Sequence, residues 1–344
     1  MMVPEIITSG QNPKIKELLA LQEKSRERRS AGLFVVEGQR ELDHCIAAGF
    51  VPDTIFICPE IYYGHNESLP CHPERCPEPV EGRSEGSASA GDGYTPFRSR
   101  TAPDPTRAAE SVNGTSSISS FSVSGPPASV PRVARPSGGI PSPDGCKVFQ
   151  VSRNVYEKIA YREGTEGIIA EMKYKDRRLE DIKLSENPLI VVLESVEKPG
   201  NLGAVLRSAD AAGADAVIIC DPLTDLYNPN LIRASIGAIF SRQVAAATSE
   251  ETISWLKANN IQILTAQLQD SSLYYDTPMT GPTAIVMGTE STGLTDIWRK
   301  AADKHIRIPM LGALDSLNVS VSAAILLFEA VRQRGGRFTE ASDL

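Results

Sequence analysis

The chain has 344 residues, 41% apolar and 23% charged, with a formal net charge of −8 at pH 7. That length exceeds one ordinary hydrophobic core, so two domains plus extra material are expected, in a composition typical of globular rather than disordered proteins. No run approaches the roughly 18 to 20 apolar residues of a membrane span, and Met1 to Lys14 has no basic-then-apolar leader, so a cytoplasmic protein with no membrane partner is expected.

Asn12 to Ser30 carries Lys14, Lys16, Lys24, Arg26, Arg28 and Arg29 against Glu17, Glu23 and Glu27. With Ile15, Leu18, Leu19 and Leu21 it reads as one amphipathic helix that is locally basic in an acidic chain. A solvated helix face and an RNA-contacting one, through Lys14, Lys16, Arg28 and Arg29, are both compatible with this pattern, because net charge does not report local patches. Next come a strand at Phe34–Glu37, a helix from Glu41 to Ala48 and a strand at Thr54–Cys58, the start of a small α/β domain. Its continuation is expected at Lys147–Val151 and Gly167–Met172. The small domain therefore takes residues 1–64 and 146–175. The intervening residues 65–145 are rich in Pro, Gly, Ser and Arg, with almost no aliphatic periodicity, and read as a disordered insertion.

Six cysteines (Cys45, Cys58, Cys71, Cys76, Cys146 and Cys220) show no repeated spacing, which argues for reduced thiols rather than a disulfide framework. Cys71–His72–Pro73–Glu74–Arg75–Cys76 offers one pair of zinc ligands, but no second closely spaced pair follows, so no metal is expected.

After a charged connector from Lys173 to Glu186, strands and helices alternate through residues 187–337. Strands are expected at Leu189–Leu193, Ala216–Cys220, Gln262–Thr265, Ala284–Met287 and His305–Ile308. Helices are expected at Leu202–Ala212, Glu250–Asn259 and Val319–Arg334. This alternation implies an α/β fold with a largely parallel sheet covered on both faces and a ligand site at the strands' carboxyl ends.

Three loops lie at those ends. Glu194 to Arg207 leaves a strand and enters a helix, with Gly203 and Arg207 four apart on one face and Asn201 placed to cap. The glycine one turn before Arg207 would leave its guanidinium uncovered, although a helix cap and a surface salt bridge also account for these two residues. Gly288-Thr289-Glu290-Ser291-Thr292-Gly293 follows an apolar run, and its glycines permit close approach of a ligand to the backbone. Ile308-Pro309-Met310 leads to Ser316-Leu317-Asn318-Val319-Ser320. Asn318 or Ser320 could cap the long apolar helix that follows, which is expected to be largely buried. A nucleotide- or NAD-binding α/β enzyme would share the alternation but leave Ser-Leu-Asn-Val-Ser without a role. A non-catalytic RNA-binding protein would need only the basic amino-terminal helix.

Asn201-x-Gly203-x-x-x-Arg207, Gly288-x-Glu290-x-x-Gly293 and Ile308-Pro309-Met310 through Ser316-Leu317-Asn318-Val319-Ser320, in this order, resemble the SpoU, or TrmH, family of RNA ribose 2'-O-methyltransferases. The resemblance covers roughly Leu189 to Arg334, and Leu327 to Arg334 is similar to the 23S rRNA guanosine 2'-O-methyltransferases. Ser9 to Lys14 and Phe34 to Gly38 are similar to the small substrate-binding domain that precedes many such catalytic domains.

The resemblance implies a SPOUT-type parallel sheet whose C-terminal chain forms a trefoil knot, an exception to the rule that chains are unknotted. It also implies a homodimer, S-adenosyl-L-methionine held near Ala266, Gly288, Ile308, Met310 and Leu317, and methylation of structured RNA, rRNA (23S) first and tRNA second. Arg207 is the residue the family uses to activate the ribose hydroxyl. A guanidinium keeps its proton at ordinary pH, so the better physical role is a fork that grips an RNA phosphate and stabilises charge on oxygen. Asn201 and Asn318 would orient ribose and arginine, Ser316 would bond near the 2'-oxygen, and Glu290 would orient partners across the site.

Overall fold

The computed structural model describes residues 5–62, 145–161, 166–175, 177–289 and 292–335. Nearly all of the expected insertion, with Cys71 and Cys76, and the loop residue Glu290 lie outside the described residues.

Five strands form the amino-terminal sheet: β1 (Glu5–Ile7), β2 (Leu33–Glu37), β3 (Pro52–Ile57), β4 (Lys147–Val151) and β5 (Ile168–Lys173), in the order β1-β4-β3-β5-β2. β3 and β4 pair in parallel with Ile55 opposite Val148, so residues on either side of the long intervening stretch lie in one sheet. β5 runs antiparallel to both β3 and β2. The helices here are α1 (Pro13–Glu23), α2 (Ser25–Ala31), α3 (Gln39–Ala47) and α4 (Arg153–Ile159).

The single helix expected over Asn12 to Ser30 is two. Asn12 caps α1 by accepting from the Lys14 amide, and the chain turns to an extended conformation at Lys24. The turn carries Arg28 inward, where its Nη1 donates to the Leu21 and Gln22 carbonyls at the end of α1. Helix-end carbonyls left without an amide partner are thereby satisfied.

Seven strands, all parallel, form the second sheet: β6 (Leu189–Glu194), β7 (Ala216–Cys220), β8 (Gln243–Ala247), β9 (Gln262–Ala266), β10 (Ser272–Leu273), β11 (Thr283–Met287) and β12 (Lys304–Arg307). Their order is β10-β12-β9-β11-β6-β7-β8. Both faces are covered, which is why these strands read as continuous apolar runs. Val191, Leu193 and Ile285 face α5 (Pro199–Ala211) and α10 (Val319–Gln333). Ile190, Val192 and Val286 face α8 (Ser249–Ala258) and α9 (Asp296–Ala301). Two short helices, α6 (Pro229–Ala234) and α7 (Ala238–Ser241), and strand β8 were not expected from the sequence. The helices are under two turns, and β8, Gln-Val-Ala-Ala-Ala, carries a single β-branched residue.

The two sheets share one core. Phe34 stacks on Tyr227 at 4.3 Å between ring centroids, and Phe50 meets Phe240 edge-on at 5.3 Å. Arg177, from the connector, lies over Phe50 at 5.1 Å and donates to the Ile239 carbonyl. Arg28 Nε reaches Asp225 Oδ2 at 2.6 Å, with the two side chains only 2% and 9% exposed. Arg28 therefore differs from its RNA-facing expectation: it is a buried clamp between the two halves. Among the described residues no helix is long and apolar enough to cross a membrane.

Arg28→Ala leaves Asp225 buried without its partner and should cost roughly 3–5 kcal/mol in urea denaturation; an unchanged midpoint would remove the clamp from the account. Glu171 on β5 is fully buried, and burial, then the nearby Glu17, pushes its pKa up to about 7 against the pull of Lys14 and the Thr54 hydroxyl. A carboxyl that binds its proton more tightly when folded makes stability fall as pH rises from the ordinary glutamate range through about 7. Glu171→Gln should flatten that fall, gaining on the order of 2–3 kcal/mol over wild type above neutrality and nothing near pH 4. Parallel pH–stability curves for the two proteins would contradict it.

Candidate functional site

The order of the large sheet sets the site. β7 and β8 lie on one side of β6, while β11, β9 and β12 lie on the other, so the chain reverses direction across the sheet between β6 and β11. Such a switch point opens a crevice at the carboxyl ends of the strands. The segments after β6, β9, β11 and β12 all emerge on that edge.

After β6 the backbone turns through Ser195, at φ 52°, and enters α5 with Lys198 as N-cap and Pro199 as first helical residue. Asn201 is therefore inside the first turn and does not cap the helix, contrary to the sequence expectation. Proline, pre-set for the first helical position, starts the helix three residues earlier than its apolar periodicity suggests. Asn201 Oδ1 instead accepts from Asn318 Nδ2 at 3.1 Å. Asn318 does cap: its Oδ1 accepts from the Ser320 amide at 2.9 Å and from the Ser320 hydroxyl at 2.6 Å. One amide side chain thus starts α10 and ties it to the start of α5.

Arg207 is exposed on α5 and makes no ion pair among the described residues. Gly203, one turn before it, has a different role from the one its spacing suggested. A Cβ at Gly203 would lie 2.6 Å from Ala234 Cβ and 2.7 Å from its carbonyl carbon, so the glycine lets α6 pack against α5. With α6 in place, Arg207 lines an open cleft of about 580 Å³ together with Pro199, Gly200, Asn230, Arg233, Ala234 and Ile236.

Gly288 follows β11, where a Cβ would collide with the backbone of Gly293 and Leu294. The loop folds back on itself there, with Thr289 bridged to Gly293 and Gly293 at φ 67°. Its far end is fixed by Glu194, the buried last residue of β6, which accepts from the Thr295 amide at 2.9 Å and the Thr295 hydroxyl at 2.5 Å. Ser249 links this network onward, accepting from the Trp298 indole and donating to Asp221. Sequence reading passed over Glu194 and Thr295; an acid closing an otherwise apolar strand is the signal that could have found them. Cys220, beside this network, is pushed up to about 12 by burial and is a packing thiol.

Ala266 ends β9, Ile308 and Met310 follow β12, and Ile306 pairs with Ala266 across the two strands. With Gly288 they occupy the ends of three adjacent strands, and Leu317 lies exposed just before α10. Ser316 is exposed and, among the described residues, hydrogen-bonds its neighbour Asp315 at 3.3 Å, so it is not brought against Asn201 or Arg207. Lys16 and Arg29 are exposed, and Lys14 is half-exposed in a 2.7 Å pair with Glu17 that raises its pKa. α10 is less buried than its composition predicts: Val319, Ala323, Leu326 and Leu327 face the core, but Val321 and Phe328 are 46% and 43% exposed.

Residues 188–328 match the model of the SpoU rRNA Methylase family, and residues 12–76 match that of the MRM3-like substrate binding domain. A 23S rRNA (guanosine-2'-O-)-methyltransferase, RlmB of Photorhabdus laumondii, is 40% identical over 175 residues, which are 49% of this chain and 72% of that protein. A crystal structure of an RNA 2'-O ribose methyltransferase superposes with a TM-score of 0.64 at 31% identity, covering 96% of this chain and 99% of the other. An AdoMet-bound rRNA methyltransferase from Sinorhizobium meliloti shares the fold, with a TM-score of 0.67 at 24% identity over 95% of this chain and 97% of that one. With the three loops converging where the sheet reverses, and with these relatives, the chain belongs to the SpoU rRNA methylase family.

Proposed function

We propose that the protein transfers a methyl group from S-adenosyl-L-methionine to a ribose 2'-hydroxyl in 23S rRNA. The observation that carries this reading is the Asn318–Asn201 contact, which brings the start of α10 to the start of α5 at the edge where β9, β11 and β12 end. The residues at those strand ends suit the cofactor: Gly288 and Ala266 place little or no side chain there, and Ile308, Met310 and Leu317 offer apolar contact for an adenosyl group. When bound, the cofactor supplies a methyl group on a sulfonium whose leaving group is a neutral thioether.

The chain's own residues supply alignment and handling of the hydroxyl proton. Arg207, exposed in the cleft without an acidic partner among the described residues, donates to an RNA phosphate and stabilises charge developing on the 2'-oxygen. The 2'-hydroxyl proton passes to the phosphate in this arrangement. Asn201 and Asn318 orient the ribose, and Ser316 moves from its exposed position to bond near the reacting oxygen. Glu290 acts from the loop that Glu194 anchors.

The finer architecture belongs to the same reading. Residues 187–337 form the catalytic domain, with a C-terminal trefoil knot. What supports the knot is the path from β12, near one sheet edge, past the ends of β9 and β11 to α10, which packs on α5. Residues 1–64 and 146–175 form an RNA substrate-binding domain that presents Lys16 and Arg29. The protein works in the cytoplasm as a homodimer, which would cover the exposed stripe of Leu317, Val321 and Phe328.

S-Adenosylhomocysteine should raise the melting temperature, because a ligand of the folded state stabilises it, and NAD should not. With labelled S-adenosylmethionine and unmodified rRNA, Arg207→Ala should lower methyl transfer roughly 100-fold while keeping the S-adenosylhomocysteine shift. Equal transfer by the two proteins would remove Arg207 from the mechanism, and a shift with NAD alone would favour a dinucleotide enzyme.

A further inference from the structure

The exposed face of α6 is chemically unlike the rest of the surface near Arg207. Asn228 caps this helix by accepting from the Asn230 amide, and Asn230 Oδ1 in turn lies 3.3 Å from Arg233 Nη2. The Arg233 guanidinium lies 4.9 Å from the ring centroid of Tyr161, which comes from the small domain just after α4 and is 44% exposed. Glu37, at the end of β2, holds Tyr161 in place by accepting from its backbone amide at 2.9 Å. An arginine of one domain and an aromatic ring of the other thus form a single platform.

Arg233 lines the cleft containing Arg207, and it also lines a separate small hollow with Tyr161 and Glu37, so it joins the ring to the cleft. The cleft is lined by two arginines, an asparagine and small or apolar residues, with no carboxylate among the described residues that line it. Other arginines have internal duties: Arg28 pairs with Asp225, Arg242 with Asp210, Arg332 with Glu329, and Arg177 is enclosed by aromatic rings. Arg207 and Arg233 make no ion pair among the described residues, although an acidic chain offers carboxylates in excess. A guanidinium on an aromatic face beside a second guanidinium suits a nucleotide: phosphate for the forks, and a base for the ring or the guanidinium plane. About 580 Å³ is within the range of sites that enclose a small ligand, roughly 300–1,000 Å³.

We propose that Arg233 and Tyr161 form a nucleotide subsite beside Arg207, taking the phosphate and base of a single-stranded RNA residue adjoining the one that is methylated. The proposal rests on the methyltransferase reading for the identity of its neighbour, but its ligand contact does not require turnover. Because the platform has one half in each domain, it reads RNA only while the interdomain packing holds.

The test is binding of a fluorescent 23S rRNA fragment to the full chain across a salt series, beside steady-state methyl transfer. Arg233→Ala should weaken RNA binding about tenfold and reduce the slope of log affinity against log salt by roughly 0.7, one phosphate contact on a single strand. Tyr161→Ala should weaken binding about tenfold with the slope unchanged, and Tyr161→Phe should restore it. In turnover both losses should appear in KM for RNA and not in kcat, with the S-adenosylhomocysteine thermal shift kept. Wild-type affinity and slope in Arg233→Ala, or a loss appearing only in kcat, would overturn the subsite. Transfer absent from the wild type, with the binding differences intact, would instead overturn the activity and leave the subsite standing.

Discussion

A single amide side chain sets the geometry on which the site depends. Asn318 uses its oxygen to cap α10 and its nitrogen to reach Asn201 in the first turn of α5. Both ends of that side chain are therefore engaged in register, and α10 cannot begin a residue earlier or later without breaking one bond. The link joins positions 117 apart in sequence, where α10 packs on α5. It converts two loops that leave the sheet at different places into one wall of a crevice. Asn318 is exposed, so water can satisfy an amide freed by losing either bond, and what such a loss costs is the alignment of the two helix starts.

The rest of the structure places an open, arginine-lined cleft beside that wall. Gly203 allows α6 to lie against α5, which brings Arg233 into the same cleft as Arg207. Phe34, Phe50, Tyr227 and Phe240 then pack the small domain onto α6 and α7, with Arg177 over the rings and Arg28 locked to Asp225. Buried ion pairs contribute less net stability than their distance suggests, because desolvation offsets attraction, but losing one partner strands the other charge and is costly. Here the docking sets where Tyr161 stands. Glu194 has a comparable role on the other side, holding Thr295 and so the loop that closes on Gly288.

Much of the fold was legible in the sequence because the strands of the large sheet are buried on both faces and announce themselves as apolar runs between helical periods. The features that escaped notice have particular physical reasons. Asn201 looked like a cap because apolar periodicity begins at Leu202, whereas Pro199 starts the helix earlier. Arg28 looked like one more cation on a basic helix; only the break at Lys24, set by tertiary contacts, turns it inward. Gly203 looked like an opening for Arg207 and is a packing contact with Ala234. Val321 and Phe328 looked buried because composition cannot say which side of an apolar helix lacks a neighbour. Strand order, which alone puts the three loops on one edge, has no local signal.

The proposed reaction of this crevice is methylation of a ribose in 23S rRNA. The most direct test is a transcriptome-wide map of 2'-O-methyl positions in cells lacking the protein, complemented with the wild-type gene or with Arg207→Ala. The account predicts that a discrete 23S rRNA position loses its methyl group, that the wild-type gene restores it and that Arg207→Ala does not. An unchanged 23S rRNA map, or full restoration by Arg207→Ala, would contradict it.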